Sequence, residues 1–259
     1  MTNRHLLIAG QGRSGSTLLY NMMRATLQGF QMPDDEASAL LVINQPESFC
    51  TKRPFDIFEV PEILAAAGTR KRVDLIVPLR DPRDLLTSRH RAVPDDYFYG
   101  AQRCYFIPSD GSPPTLTAPG ILPVHDAIAE VVRANLFPQG VQFVRYEELV
   151  ADPESVRARL EEAFFLEFKG RFSDFHRTAT SASLADAMNG VRPVDASGHG
   201  KWRAPEHRQR LIEEFTRTPG LHDMVIALGY APDRGWFDDL LAQEGHAPGG
   251  TEMRRDIDA

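Results

Sequence analysis

Apolar positions along this chain fall into short continuous runs separated by amphipathic stretches. Leu6-Leu7-Ile8-Ala9 and Val73 to Leu79 (VDLIVPL) are apolar almost throughout, the pattern of strands buried on both faces of a parallel sheet. Val141 to Arg145 (VQFVR) predicts a further strand. Helical periodicity lies between them. Ser16 to Leu27 sets Leu19, Met22, Met23 and Leu27 along one stripe. Asp34 or Asp35 caps a predicted helix to Val42, Pro61 to Ala67 predicts a short one, and Asp84 to Arg91 starts the next. Val124 to Leu136, Pro153 to Phe165, Pro205 to Thr216 and Leu221 to Leu228 read as helices, the second with proline in its first turn. Pro78 conflicts with a central strand, since it donates no ladder bond, and belongs near that strand's carboxyl end.

The remaining stretches lack a period. Asp95 to Pro123 includes the turn-rich Ser109 to Pro119 (SDGSPPTLTAP), which predicts an exposed loop or substrate lid. Thr178 to Gly200 reads as a loop. The tail from Gly245 is rich in glycine and charge, and predicts disorder. Strands alternating with helices predict an α/β fold with a central parallel sheet flanked by helices. The expected organisation is one domain over residues 1–244 and a tail over 245–259.

Composition narrows the function classes. A chain of 259 residues buries enough surface to fold without staples. Its net charge of −7 argues against a general nucleic-acid binder, so any anion site must be a local basic cluster. Arginine greatly outnumbers lysine, which makes the basic groups planar and permanently charged. Two cysteines, Cys50 and Cys104, make no framework and no CxxC pair; both are expected reduced and structural. No apolar run approaches the ~20 residues of a membrane span. The first strand begins within a few residues of the start, which leaves no room for a signal peptide and predicts a cytoplasmic protein.

Chemistry concentrates first in GQGRSGSTLL, Gly10 to Leu19, between the first strand and the first helix. Such a turn points several backbone N–H groups and the positive end of a helix dipole at one spot, which suits a phosphate. A Walker A loop reads GxxxxGK[ST]. Gly10 and Gly15 keep that spacing, but Ser16 replaces the lysine and the positive charge sits at Arg13. The second segment is RDPRDLLTS, Arg80 to Ser88, directly after the predicted buried strand. Its side chains emerge at the carboxyl edge of the sheet, where open α/β sheets bind ligands. Arg80 can hold a phosphate bidentately, and Ser88, two helical turns later, can donate a hydroxyl.

Together these segments resemble the sulfotransferase family. GQGRSGSTLL resembles its 5′-phosphosulfate loop, in the bacterial type that carries arginine there, and RDPRDLLTS resembles its 3′-phosphate motif. VRYEELVADPESVRARLEEAF, Val144 to Phe164, looks like the strand-to-helix segment that follows, and Gly200-Lys201-Trp202-Arg203 looks like the C-terminal cofactor loop. The resemblance runs from Leu6 to Tyr230, in order. It implies a three-layer P-loop-like fold and 3′-phosphoadenosine 5′-phosphosulfate (PAPS) as donor, with adenosine 3′,5′-bisphosphate (PAP) as product and no metal. The acceptor would be a hydroxyl or amine of a small molecule, carbohydrate or natural product. Family members are often homodimers.

Residue roles follow from the resemblance. Arg13 stabilises the leaving charge, and Gly12, Ser14, Gly15, Ser16 and Thr17 hold the 5′-phosphate. Arg80 and Ser88 bind the 3′-phosphate, with Ser197, Gly198 and Lys201 as additions, and Trp202 is structural or beside the cofactor. Tyr146 approaches the purine or is a core tyrosine. Lys52, in Thr51-Lys52-Arg53-Pro54, assists at the sulfuryl group or is a solvated surface lysine. The histidine that some members use as base is replaced by Pro54; other branches use a glutamate shortly after the first helix, and the resemblance to these implies Glu36 as candidate base, ahead of Asp35 and His90. Two other readings remain: a small-molecule kinase, and a PAP- or PAPS-binding protein without catalysis. The aromatics Tyr97, Phe98, Tyr99, Tyr105 and Phe106 either line an acceptor pocket or pack.

Overall fold

A computed structural model describes residues 3–89, 97–178, 180–188, 190–195 and 198–244. The chain runs β1 (Asn3–Ile8), α1 (Ser16–Thr26), β2 (Phe49–Lys52), α2 (Val60–Ala67), β3 (Lys71–Leu79) and α3 (Pro82–Leu86). Three short strands follow, β4 (Tyr97–Phe98), β5 (Arg103–Phe106) and β6 (Thr115–Pro119), then α4 (Ile121–Ala134) and β7 (Val141–Arg145). The remainder is helical: α5 (Tyr146–Ala151), α6 (Pro153–Phe164), α7 (Ala182–Ala187), α8 (Arg208–Arg217), α9 (Gly220–Ala227) and α10 (Gly235–Glu244).

The central sheet has the order β2-β1-β3-β7 and every pairing is parallel. Alternation along the strands divides its core between two faces. Leu6 and Ile8 of β1 join Leu19, Met22 and Met23 of α1 and Val156 and Leu160 of α6. Leu7 and Ala9 turn the other way and, with Leu75 and Val77 of β3, pack against Ile63 of α2 and Val124 and Ile128 of α4. The result is a three-layer α/β arrangement with helices on both faces. Each large side chain so buried contributes roughly 1.5–3 kcal/mol. No helix of the described residues is long and apolar enough to cross a membrane.

Pro78 lies inside β3, opposite Val144. The Ile76 carbonyl accepts the Ala9 N–H, so Ile76 and, two residues on, Pro78 direct their backbone groups toward β1. By that point β1 has ended in the glycine turn, and the missing N–H breaks no ladder bond.

Four expectations need correction. The segment after Asp34 is not a helix to Val42; only Ala39–Leu41 makes a single 3-10 turn. Its backbone is bonded sideways instead: the Pro33 carbonyl accepts from the Tyr20 hydroxyl, the Asp34 carbonyl from Ser181, and the Ala39 N–H donates to Asp56. α3 stops at Leu86, so Ser88 reaches the site from the turn beyond it, not from a helix. Asp95 to Pro123 is not all loop, because β4, β5 and β6 form an antiparallel sheet. Thr178 to Gly200 contains α7, capped by the Ser181 hydroxyl. β2 went unpredicted. The stretch 245–259 expected to be disordered, together with His90 and Ser197, lies outside the described residues.

Candidate functional site

The strands β1, β2, β3 and β7 all end at one edge of the sheet, and the candidate residues leave from there. After β1 the chain makes a tight loop with Arg13 at φ 61° and Gly15 at φ 86°. The first helical hydrogen bond of α1 runs from the Leu19 N–H to the Gly15 carbonyl. The N–H groups of Ser16, Thr17 and Leu18 precede it, free of helical partners, and all three residues line the cavity described below.

The loop is braced from beneath. Gln11 is buried, with its amide N–H on the Ile121 carbonyl at 2.8 Å and its amide oxygen accepting from the Tyr99 hydroxyl at 3.4 Å. That hydroxyl also accepts a backbone hydrogen bond from Gly12, and burial raises the Tyr99 pKa. Ser14 is turned inward too, donating to the Gln11 carbonyl at 2.6 Å. Its hydroxyl therefore serves the loop, not the cavity.

Arg13 crosses to the turn after α3. Its Nε donates to the Ser88 hydroxyl at 3.2 Å and its Nη2 to the Arg89 carbonyl at 3.4 Å. Burial, then the nearby Arg80 cation, lower the Arg13 pKa. Arg80, just past the end of β3, ties two loops together, donating to the Arg13 carbonyl at 3.1 Å and the Gly198 carbonyl at 2.5 Å. Its guanidinium lies 4.5 Å from the centre of the Tyr146 ring.

Tyr146 is fixed by what surrounds it. A Cβ on Gly15 would stand 2.5 Å from the ring, and one on Gly198 would collide with the phenol oxygen. Two glycines thus let the ring in beside the loop, where it lines the cavity.

Lys52, the last residue of β2, is buried to 5% exposure and is not a solvated surface lysine. It forms an ion pair with Glu36, whose side chain remains 47% exposed. Both line the cavity, whereas Asp35 does not.

The cavity measures about 590 Å³. It gathers Gly12, Arg13, Gly15, Ser16, Thr17, Glu36, Lys52, Arg80, Ser88, Tyr146, Gly198 and Lys201. Trp202 is absent from its lining. The Trp202 ring is buried between the Arg83 guanidinium, 4.1 Å away, and Trp236, with ring centres 5.5 Å apart. Trp202 thus packs one layer back, the structural of its two expected roles.

Six cations (Arg13, Lys52, Arg80, Arg89, Arg192 and Lys201) face three carboxylates, Glu36, Asp84 and Asp195. A chain of net charge −7 thus concentrates positive charge at one place. Sequence reading missed Arg192, Asp84 and the bracing role of Tyr99. Arg192 carried no signal, sitting in an aperiodic stretch. Asp84 was visible only as an acid near a helix start. The aromatics Tyr97 and Phe106, and Phe98 and Tyr105, pair across the small sheet and do not line the cavity.

No family model matches the chain, and no curated protein matches it. Among solved structures, mouse sulfotransferase SULT7A1 complexed with PAP matches with a TM-score of 0.52 at 12% identity, over 95% of this chain and 90% of that one. The chain has the sulfotransferase fold. The sulfotransferase domain of the Synechococcus PCC 7002 olefin synthase matches at TM-score 0.49 and 14% identity, over 79% of this chain and 89% of that one. The sulfotransferase domain of the curacin biosynthetic pathway matches at 0.47 and 14%, over 83% and 98%.

Proposed function

We propose that the chain is a PAPS-dependent sulfotransferase acting on a hydroxyl or amine of a small molecule, carbohydrate or natural product. The observation that carries this is the meeting of Arg13, Arg80 and Ser88 in one cationic cavity, with Ser16 where a kinase loop would carry lysine. The residues fit a nucleotide with two separate phosphates. The helix start offers N–H groups without helical partners, and Arg80 keeps a buried Nε without a partner.

When bound, PAPS supplies an activated sulfuryl group on its 5′-phosphate. Arg13 and the first turn of α1 hold positive charge beside that phosphate. Arg80 and Ser88 take the 3′-phosphate, and Tyr146 flanks the nucleoside. Glu36 takes the proton from the acceptor's O–H or N–H. Lys52 orients Glu36 through their ion pair and brings a second cation to the reacting end.

Thermal denaturation with nucleotides tests the donor. PAP should raise the melting temperature well above what AMP or ATP achieves, by linkage. Equal shifts from ATP would return the loop to a kinase. Release of PAP from PAPS in the presence of acceptor separates an enzyme from a binding protein.

A further inference from the structure

The segment from Gly198 to Trp202 holds no α-helix or strand, yet it is held in three places from one corner of the fold. Arg80 donates to the Gly198 carbonyl. Asp84, in the first turn of α3, takes the next two contacts. Its Oδ2 accepts the Gly200 N–H at 2.6 Å and its Oδ1 accepts the Trp202 N–H at 2.9 Å. Backbone groups at 198, 200 and 202 are thus fixed, and of the two residues between them, His199 and Lys201, it is Lys201 that lines the cavity. Gly200 sits at φ 70°, so the chain turns sharply just where Asp84 grips it. Asp84 itself is 1% exposed.

A buried carboxylate is costly, and a serine or asparagine would cap a turn at lower cost. A full negative charge makes sense where it orders a loop at the border of a cationic cavity. We propose that Asp84 is a positioning residue for nucleotide recognition. It holds the 198–202 loop so that Lys201 faces the phosphate taken by Arg80 and Ser88. The chain's preference for 3′-phosphorylated over plain adenosine nucleotides then depends on that loop. This inference rests on the proposed donor.

The test compares PAP with AMP, both by calorimetric titration on the full chain. Asp84→Asn keeps one acceptor oxygen and turns an NH2 toward the other N–H. Its PAP affinity should fall by ~10-fold, while AMP affinity stays within about twofold, as one lost charge-assisted bond predicts. Lys201→Met, at an exposed position, should show the same selective loss, and the double variant no further loss. The two tryptophans of the chain lie 5.5 Å apart beside this loop, so intrinsic fluorescence should report its release in Asp84→Asn. A wild-type chain that binds PAP and AMP alike overturns the donor reading. A wild-type chain that discriminates, with both variants retaining the full ratio, overturns the role of Asp84. If Asp84→Asn does not fold, Lys201→Met still tests the inference: a retained ratio overturns it, and a lost one upholds the placement of Lys201 on which it depends.

Discussion

The ε N–H of Arg13 donates to the hydroxyl of Ser88, 75 residues away in sequence, at 3.2 Å. This bond joins the loop after β1 to the turn after α3, and it places the two candidate anion-binding segments wall to wall. Arginine suits the position because its fork can reach Ser88 and the Arg89 carbonyl while its charge stays in the cavity. Arg13→Lys keeps the charge and loses the fork. It should retain PAP binding within an order of magnitude and lose sulfuryl transfer by ~10- to 100-fold, less than Arg13→Met, which removes the charge as well. Single-turnover transfer from PAPS measures both. Equal rates in Arg13→Lys and wild type would show that the fork does nothing.

The glycine loop and the β3 corner were legible because they are local. An apolar run, glycines at fixed spacing and a helix start say most of what their backbones do. Arg80 and Ser88 were legible as a pair, though the helix drawn between them ends early at Leu86. Other parts depend on distant contacts. β2 has four residues, all buried, including Thr51 and Lys52, and so shows no alternation. The stretch around Glu36 looks like a helix start, with proline and three acids. Tertiary bonds with Tyr20, Ser181 and Asp56 hold it open instead, and no sequence pattern announces them. Tyr99 reads as one aromatic among five until Gly12 and Gln11 are seen against its hydroxyl.

Tyr99→Phe isolates that hydroxyl. The ring stays, so packing is preserved, but the Gly12 N–H and the Gln11 amide oxygen lose a buried partner. Destabilisation of about 1–3 kcal/mol is expected. For a chain of this length that lowers the melting temperature by roughly 2–4 °C per kcal/mol. PAP affinity should fall as well, because the loop loses its brace. A variant with unchanged melting temperature and PAP affinity would remove Tyr99 from the account.

Glu36→Gln separates binding from turnover. The amide is nearly isosteric with the carboxylate but cannot take the acceptor's proton. PAP binding should persist while transfer falls by ~100-fold or more. The buried Lys52 ammonium loses its counter-charge in this variant, so some stability should be lost too. Lys52→Met in the same background should restore that stability without restoring turnover. Normal turnover in Glu36→Gln would move the base elsewhere.

His5 predicts how stability responds to acid. Its imidazole is fully buried, with Nε2 against the Thr51 hydroxyl at 2.8 Å. Burial first, then the Lys71 ammonium, push its pKa down to about 3. The unfolded chain titrates near 6.5, so between these values it binds a proton that the folded chain refuses. Stability should therefore fall as pH drops from 6.5 toward 3, by about 1.4 kcal/mol per unit from this group alone. Urea midpoints at pH 7 and pH 5 give the wild-type slope. His5→Gln should flatten it by about 2 kcal/mol over that interval, and an identical slope would mean that His5 protonates without cost.

Gly198 tests whether the Tyr146 ring is held by space alone. A Cβ there meets the phenol oxygen and stands 3.2 Å from the ring carbon that bears it. Gly198 shows none of the positive φ that constrains Gly15, so a new methyl costs only the room it takes. Gly198→Ala should push the ring or the loop aside, weaken PAP binding and disturb the Arg80 bond to the Gly198 carbonyl. Tyr146→Phe removes the colliding oxygen. Combined with Gly198→Ala, it should recover most of the lost affinity, whereas the same exchange should not rescue Gly15→Ala, whose Cβ meets ring carbons that phenylalanine keeps and whose φ of 86° strains it as well. Titration of the two double variants with PAP shows whether the phenol oxygen is what excludes a side chain at Gly198. No rescue of Gly198→Ala would mean that the ring, not its phenol oxygen, sets the limit there.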